Sequence, residues 1–221
     1  MKKLLIAGAL SLLATTAHAA TGAFHFGSGS QFGWSSGIHD IGKTHLFFDT
    51  TSGLTLVAAG FDAAGKPTDL TAKNDSGDEN GMGLANDSTK DGEIEYGKGF
   101  VQIDMTHLVN VTSLKFSMGS TTKSPKDEEW AVYGSNTSGS YSGAPLATGF
   151  TDVTDQTLTL GYKYYDFVEI GAGSSDNNVL LDSVKVTASA APEPASWALM
   201  MAGVGAMGAA LRVRRRRIVA A

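Results

Sequence analysis

Short hydrophobic runs recur through the middle of the chain, and Gly, Asn, Asp and Ser separate them. One run alternates strictly, so that Leu114, Phe116 and Met118 share a face, and Val184 and Val186 alternate in the same way. A period of two between hydrophobic positions indicates a half-buried β-strand. The predicted strands are residues 45–48, 54–57, 100–105, 114–118, 130–133, 158–160, 164–170 and 179–186. Their spacing and turn-rich connections predict an all-β fold, a single antiparallel β-sandwich over residues 20–187.

Two segments lack this alternation and are predicted to be loops. Residues 60–91 are rich in Asp, Asn, Gly, Lys and Thr, and residues 135–142 are mostly Ser, Thr and Gly. Clusters of these residue types mark turns and loops. A short linker is expected at residues 188–191, where Ala-Ser-Ala-Ala follows the last predicted strand.

The composition narrows the chemistry that the chain can perform. A length of 221 residues accommodates one domain with short segments at its ends. No cysteine is present, which excludes disulfides, thiolate metal sites and thiol nucleophiles. All five arginines lie within the last ten residues, whereas residues 20–191 contain 10 lysines and 21 acidic residues. A body with this excess of acidic groups repels nucleic-acid phosphates, so DNA and RNA are not expected as partners.

The first 19 residues have the three parts of a secretory signal peptide. Two lysines supply the positive end, and the apolar segment that follows, residues 4–14, is too short to span a bilayer as a helix. Ala17 and Ala19 put small residues at the positions that signal peptidase reads. The pattern predicts export, cleavage after Ala19 and a mature chain that begins at Ala20.

Three elements follow one another near the C-terminus. Pro192-Glu193-Pro194 comes first, an uncharged Gly/Ala-rich segment covers residues 195–211, and an arginine cluster ends at Arg217. As a helix, residues 195–211 would extend about 25 Å, the lower edge of a membrane span. Trp197 lies where an interfacial aromatic residue is expected, and the arginines are expected to stay cytoplasmic. The pattern predicts a transmembrane helix that anchors the exported body in the inner membrane.

This order of elements resembles the PEP-CTERM protein-sorting signal. The residues that carry the resemblance are Pro192, Glu193, Pro194, Trp197, Arg212, Arg214, Arg215, Arg216 and Arg217. It spans residues 192–217 and implies recognition by exosortase, a membrane protease-transpeptidase, in a Gram-negative host that makes exopolysaccharide. It also implies an inner-membrane tether before processing, and a later place at the cell surface or in the extracellular matrix.

A second, less specific resemblance concerns the body, whose order of features is similar to sandwich domains often found in PEP-CTERM proteins. The segments that carry it are residues 78–84, 93–95, 100–104, 129–136 and 166–170. It implies a jelly-roll sandwich similar to galactose-binding-like modules.

The acidic part of the predicted loop 60–91 is a candidate calcium site. Calcium takes six to eight oxygen ligands from carboxylates, amides and backbone carbonyls. The residues that offer such oxygens are Asp75, Asp78, Glu79, Asn80 and Asp87. The EF-hand pattern fails here at two key positions, so the alternatives are a calcium site in a sandwich loop and a solvated acidic loop.

Carbohydrate binding is a further candidate, because sugar sites combine aromatic platforms with a few polar groups. Tyr141, inside a Ser/Gly-rich segment, is the aromatic residue expected to be exposed, whereas Trp130 lies in an apolar run that indicates core packing. Catalytic patterns are weak. The histidines share no metal-ligand spacing, and the carboxylate pairs Glu93/Glu95 and Glu128/Glu129, which a glycosidase could use, are far more typical of an acidic surface.

These patterns together predict a non-enzymatic exported protein of the cell surface or matrix that is associated with exopolysaccharide. A carbohydrate-binding module is the alternative, and a secreted glycan hydrolase is a remoter one. The expected partners are exosortase, the inner membrane before processing, and exopolysaccharide. Calcium is the one cofactor that the residues suggest.

Overall fold

The fold consists of two antiparallel sheets. The computed structural model describes residues 19–27, 36–74, 79–88, 90–119, 129–171, 178–190, 201 and 203–205. The strands are β1 (Ala20–His25), β2 (Gly37–Gly42), β3 (Thr44–Phe48), β4 (Thr55–Asp62), β5 (Pro67–Thr68), β6 (Leu70–Asn74), β7 (Asn80–Leu84), β8 (Ile94–Glu95), β9 (Gly99–Asp104), β10 (Leu108–Gly119), β11 (Trp130–Ser135), β12 (Ala147–Gly149), β13 (Val153–Thr157), β14 (Tyr164–Glu169) and β15 (Asn178–Ala190). The prediction of an all-β antiparallel sandwich is confirmed.

Strand β15 organises the first sheet. This sheet has the order β13-β10-β15-β7-β6-β2, and β1 and β8 also pair with β15. The second sheet has the order β12-β11-β14-β9-β4-β3, with β5 beside β4. Within the described residues, β15 is the last strand along the chain and pairs with four others, so the first sheet is assembled around a segment that is synthesised late.

The core lies between the two sheets and is built from alternate residues of their strands. Phe116 of β10 packs edge-on against Trp130 of β11, with ring centroids 5.4 Å apart, and contacts Phe167 of β14 at 5.5 Å. Trp130 is fully buried, and its indole Nε1 donates to the Thr151 carbonyl oxygen at 3.0 Å. The core position expected for Trp130 is therefore confirmed, with its polar atom satisfied as buried indoles require.

The prediction of a loop over residues 60–91 is wrong, because strands β5, β6 and β7 lie within it. Leu70 and Ala72 of β6, and Met82 and Leu84 of β7, do alternate toward the interior and are buried. These strands are short and contain Ala72, Lys73 and glycines, residue types that are depleted in strands, so their composition resembles that of a loop. Lys73 in particular is buried although lysine is rarely fully buried unless it is paired.

Other boundaries also differ from the sequence-based expectations. Strands β1 and β2 had no predicted counterpart, and the strand expected at residues 158–160 lies earlier, as β13. Strand β15 continues to Ala190 and therefore covers most of the segment expected as a linker. The reason is pairing: Ala188 is fully buried opposite Ala20, and Ala190 pairs with Leu108.

Phe116→Ala should lower the free energy of unfolding by about 3–5 kcal/mol, because it removes a ring that both sheets contact and leaves a cavity. Phe150→Ala is the matched control: Phe150 is 49 % exposed, so its replacement should change stability by about 0.5 kcal/mol or less. Urea unfolding of the two purified variants measures the difference. Equal losses would contradict the assigned core.

Candidate functional site

An aromatic cluster lies on the outer face of the second sheet, beneath the segment that carries Tyr141. The Tyr141 ring packs edge-on against Phe100, at 5.0 Å between centroids, and obliquely against Tyr133 at 4.9 Å. Phe100 in turn stacks on Phe61 at 5.3 Å. Tyr141 remains 38 % exposed, and the nearby Tyr96 is also exposed. We call Phe61, Tyr96, Phe100, Tyr133 and Tyr141 the aromatic patch.

Strand alternation produces this patch. In β14, Tyr165 and Phe167 point into the main core, so Asp166 and Val168 point to the outer face. Val168 joins Phe61 and Phe100 in a small hydrophobic cluster that is separate from the main core. The second sheet therefore has hydrophobic residues on both faces. Its inner face packs in the main core, and the segment with Tyr141 covers part of its outer face.

Two polar side chains lie side by side under this segment. The register of the sheet puts Tyr133 opposite Asp166, and Asp166 opposite Gln102. Gln102 Nε2 donates to Asp166 Oδ1 at 2.6 Å, and Gln102 Oε1 accepts bonds from Ser138 Oγ at 3.0 Å and from the Gly139 N–H at 3.3 Å. The amide of Gln102 therefore fastens the Tyr141 segment to the sheet.

Glycine is required where this segment crosses a neighbouring turn. Gly139 has φ +73° and Gly65 has φ +75°, in the left-handed region that favours glycine. A Cβ on Gly65 would lie 2.3 Å from the Gly139 carbonyl oxygen. The two backbones approach so closely that neither position accepts a side chain without movement.

Asp166 is the most electrostatically perturbed residue of the site. Its side chain is fully buried, and burial raises its pKa to about 7, although the hydrogen bond from Gln102 works in the opposite direction. Among the described residues, none donates a hydrogen bond to Asp166 Oδ2. Burial, with smaller contributions from Tyr133, Asp166 and Tyr96, also raises the pKa of Tyr141. A carboxyl group that changes protonation near neutral pH thus lies directly beneath the exposed tyrosines.

The residues predicted to form a calcium site are not gathered around one point as far as the structure describes them. Asp75 and Asp78 lie outside the described residues. Lys73 Nζ bonds Glu79 Oε2 at 2.7 Å and Glu93 Oε1 at 2.6 Å. Burial opposes the charged form of Lys73, but these two glutamates raise its pKa. The ammonium group of Lys73 therefore provides the positive charge beside Glu79 and Glu93.

The other members of the predicted calcium set have separate positions. Asp87 Oδ2 accepts the backbone N–H groups of Asp91 at 2.7 Å and Gly92 at 2.9 Å, and Asn80 belongs to strand β7. In the described part of the chain, no three acidic or histidine side chains come together so that they could hold a metal ion. The calcium site stays a prediction that depends on Asp75 and Asp78.

Two of the carboxylates considered for hydrolysis are engaged by neighbouring groups. Glu93 is buried and ion-paired to Lys73. Glu95 is also buried and accepts bonds from the backbone N–H and the hydroxyl of Ser88. Glu128 lies outside the described residues. The carboxylates of Glu93 and Glu95 are therefore tied into the fold by their partners.

The two ends of the body meet at one end of the first sheet. Ala20, the predicted first residue of the mature chain, opens β1 and pairs with Ala188 of β15, and β15 ends at Ala190. The cleavage-signal residue Ala17 lies outside the described residues, and so do Pro192, Glu193, Pro194, Trp197, Arg212, Arg214, Arg215, Arg216 and Arg217. Of the predicted helix 195–211, residues 201 and 203–205 are described and helical. Nowhere in the described chain is a helix both long and apolar enough to cross a membrane.

Residues 190–216 match the PEP-CTERM protein-sorting motif. The match starts at the final residue of β15, so the motif follows the sandwich without an intervening domain. It implies an exported protein that is membrane-anchored during sorting and processed by exosortase. No curated protein and no solved structure matches the chain. The finer likeness of the body to galactose-binding-like modules therefore stays a prediction.

Asp166→Asn should flatten the dependence of stability on pH. The folded-state pKa of about 7 lies above the ordinary value of 3.8, so wild-type stability falls as pH rises from about 4 to about 7 and then levels off. The neutral amide avoids this loss, which is worth up to about 4 kcal/mol over that range.

Urea unfolding between pH 4 and pH 8 measures the effect, with Asp155→Asn as the matched control. Lys185 bonds Asp155 and lowers its pKa, so this carboxyl titrates below that range and its replacement should leave the shape of the profile unchanged. Parallel profiles for wild type and Asp166→Asn would contradict the raised pKa.

Proposed function

We propose that this chain is a non-enzymatic exported protein that exosortase delivers to the cell surface or the extracellular matrix, where its body associates with exopolysaccharide. The observation that carries the proposal is the sorting motif, which starts at the last residue of the sandwich. The motif accounts for the position of all five arginines at the end of the chain, where they hold that end in the cytoplasm.

The N-terminal end of the body supports the same proposal. Cleavage after Ala19 leaves the whole of strand β1 in the mature protein, because the first residue of that strand is Ala20. Signal peptidase would therefore separate the leader from the sandwich without removing a paired residue. The two processing events would act on either side of an intact body.

The sorting step is tested by fractionating cells with and without exosortase. With the enzyme, the protein should reach the surface fraction in a shortened form; without it, the full-length chain should accumulate in the inner membrane. Changing Arg212 and Arg214–Arg217 to Glu should also prevent processing, because the end of the chain loses its cytoplasmic preference.

Replacement of the same five residues by Lys is the matched control, since it keeps the positive charge and should preserve sorting. The proposal would be refuted if the protein had the same location and length with and without exosortase. Identical behaviour of the Glu and Lys variants would remove the charge mechanism alone.

The aromatic patch supports association of the body with polysaccharide. Tyr141 and Tyr96 are exposed next to Tyr133, and the buried groups beneath them hold this surface in place. Rigid aromatic rings beside polar groups are suited to stacking against sugar rings. The engagement of Glu93 by Lys73 and of Glu95 by Ser88 favours binding over hydrolysis. An acidic body also disfavours an acidic polysaccharide unless a divalent cation bridges the two.

Co-sedimentation of the purified protein with the host's own exopolysaccharide tests this part. We expect weak binding, with Kd near millimolar, or about 4 kcal/mol. Tyr141→Ala should weaken binding about three- to tenfold, because it removes one stacking ring, and Phe150→Ala should not.

The result also separates the alternatives. Binding that a chelator abolishes, with Tyr141→Ala equal to wild type, would assign the contact to calcium bridging instead of stacking. Release of reducing ends from the polysaccharide would overturn the non-enzymatic proposal in favour of a glycan hydrolase.

A further inference from the structure

Several exposed hydrophobic side chains lie at the end of the sandwich that contains Ala20 and Ala190, the first and last residues of the paired strands. Leu46 and Phe48 of the edge strand β3 are 62 % and 55 % exposed, on the same face. Val109 and Tyr162 are exposed as well. We call Leu46, Phe48, Val109 and Tyr162 the basal patch. Exposed hydrophobic residues on an edge strand are unusual, because edge strands are normally protected by charges.

Contacts between the strands place this patch beside Ala190. Phe48 pairs with Thr55, whose carbonyl oxygen lies 2.9 Å from Nε2 of His107. The next residue, Leu108, pairs with Ala190. On the other side, Tyr162, Leu160 and Val111 line a recess together with Leu108. The basal patch and the two ends of the body thus share one end of the molecule.

The short chain between β15 and the predicted membrane segment limits how far this end of the sandwich can lie from the bilayer. Four residues, 191–194, separate Ala190 from the uncharged segment that starts at Ala195. Even fully extended, the chain between the Cα atoms of residues 190 and 195 spans at most about 18 Å. The headgroup region occupies the first ~6 Å outside the hydrocarbon core. A membrane that holds residues 195–211 therefore lies within reach of the basal patch.

The opposite end of the sandwich is too far away to make the same contact. Strand β15 has 13 residues and extends about 40 Å from Asn178 to Ala190. The aromatic patch lies away from the base, because Phe100 stands at the start of β9 and the base lies beyond its last residue, Asp104. With the base at the membrane, Phe100 and the Tyr141 ring that packs on it would lie above the bilayer surface.

We propose that the basal patch rests in the headgroup region of the bilayer that anchors this chain before exosortase processing. The inference depends on the proposed function, since it requires the C-terminal segment to be in the membrane. Burial of Leu46, Phe48, Val109 and Tyr162 supplies the apolar contact, and the tether supplies the proximity. The acidic body is repelled by anionic lipids, so the contact is lost once processing removes the tether.

Single-cysteine labelling tests the contact, because the natural chain has no cysteine. Thr106→Cys carries an environment-sensitive fluorophore at the base, and Thr148→Cys carries it on β12, about 20 Å further along the strands. The full-length variants are reconstituted into vesicles of phosphatidylethanolamine and phosphatidylglycerol, with or without bromolipids. We expect a blue-shifted, bromolipid-quenched label at Thr106 and an unquenched, water-exposed label at Thr148.

Two changes should abolish quenching at Thr106 while the protein stays on the vesicles. One is a long Gly/Ser insertion after Ala191, which releases the base from the bilayer without touching the sandwich. The other is Leu46→Ser with Phe48→Ser, which removes the most exposed half of the patch. Since the insertion leaves the body intact, its result does not depend on whether the double variant folds.

The remaining outcomes overturn the inference in distinguishable ways. Vesicle-bound protein with an unquenched Thr106 label would refute the membrane contact and leave the anchor in place. Protein that fails to associate with vesicles at all would refute both the anchor and the contact. Quenching that needs co-reconstituted exosortase would assign the patch to that enzyme instead of to lipid.

Discussion

Hydrogen bonding along strand β15 is the interaction on which the architecture depends. This one strand pairs with β10 on one side and with β1, β7 and β8 on the other, so it joins segments from both ends and the middle of the body. These pairings are distant in sequence, which makes folding slow compared with a fold of local contacts. A late, central strand also means that the sandwich closes only after the chain up to Ala190 is available.

Buried polar pairs hold in place the segments that cover the outer faces of the two sheets. Gln102 and Asp166 satisfy part of each other's hydrogen-bonding capacity and hold the Tyr141 segment, whereas Lys73 and Glu93 join β6 to the chain before β8. Buried polar groups are tolerated only when they are bonded, and removal of one partner leaves the other at a high cost. These pairs therefore specify which segments cover the sheets, a role that hydrophobic burial alone does not fill.

The sequence predicts those parts of the molecule that depend on local patterning. The strict alternation around Phe116 identifies β10, the apolar run around Trp130 identifies a core strand, and Tyr141 in a Ser/Gly-rich segment is exposed as expected. Strand β6 escapes prediction because it is short and contains Ala72 and Lys73, residue types depleted in strands, and the glutamates that allow Lys73 to be buried are visible only after folding. The burial of Asp166 could not be predicted either. Its position in β14 is on the outer face of the sheet, and it is buried because the segment that follows β11 lies over it.

The pairing of Ala20 with Ala188 has a consequence for survival outside the cell. Exopeptidases require a stretch of unpaired chain, and loose termini are the usual starting points of proteolysis. Here the predicted first residue of the mature protein is already part of a ladder, and the sandwich remains paired up to Ala190. Cleavage at the predicted site after Ala19 would therefore leave little unpaired chain at this end for such enzymes to bind. Because the chain contains no cysteine, this protection would come from strand pairing and not from disulfides.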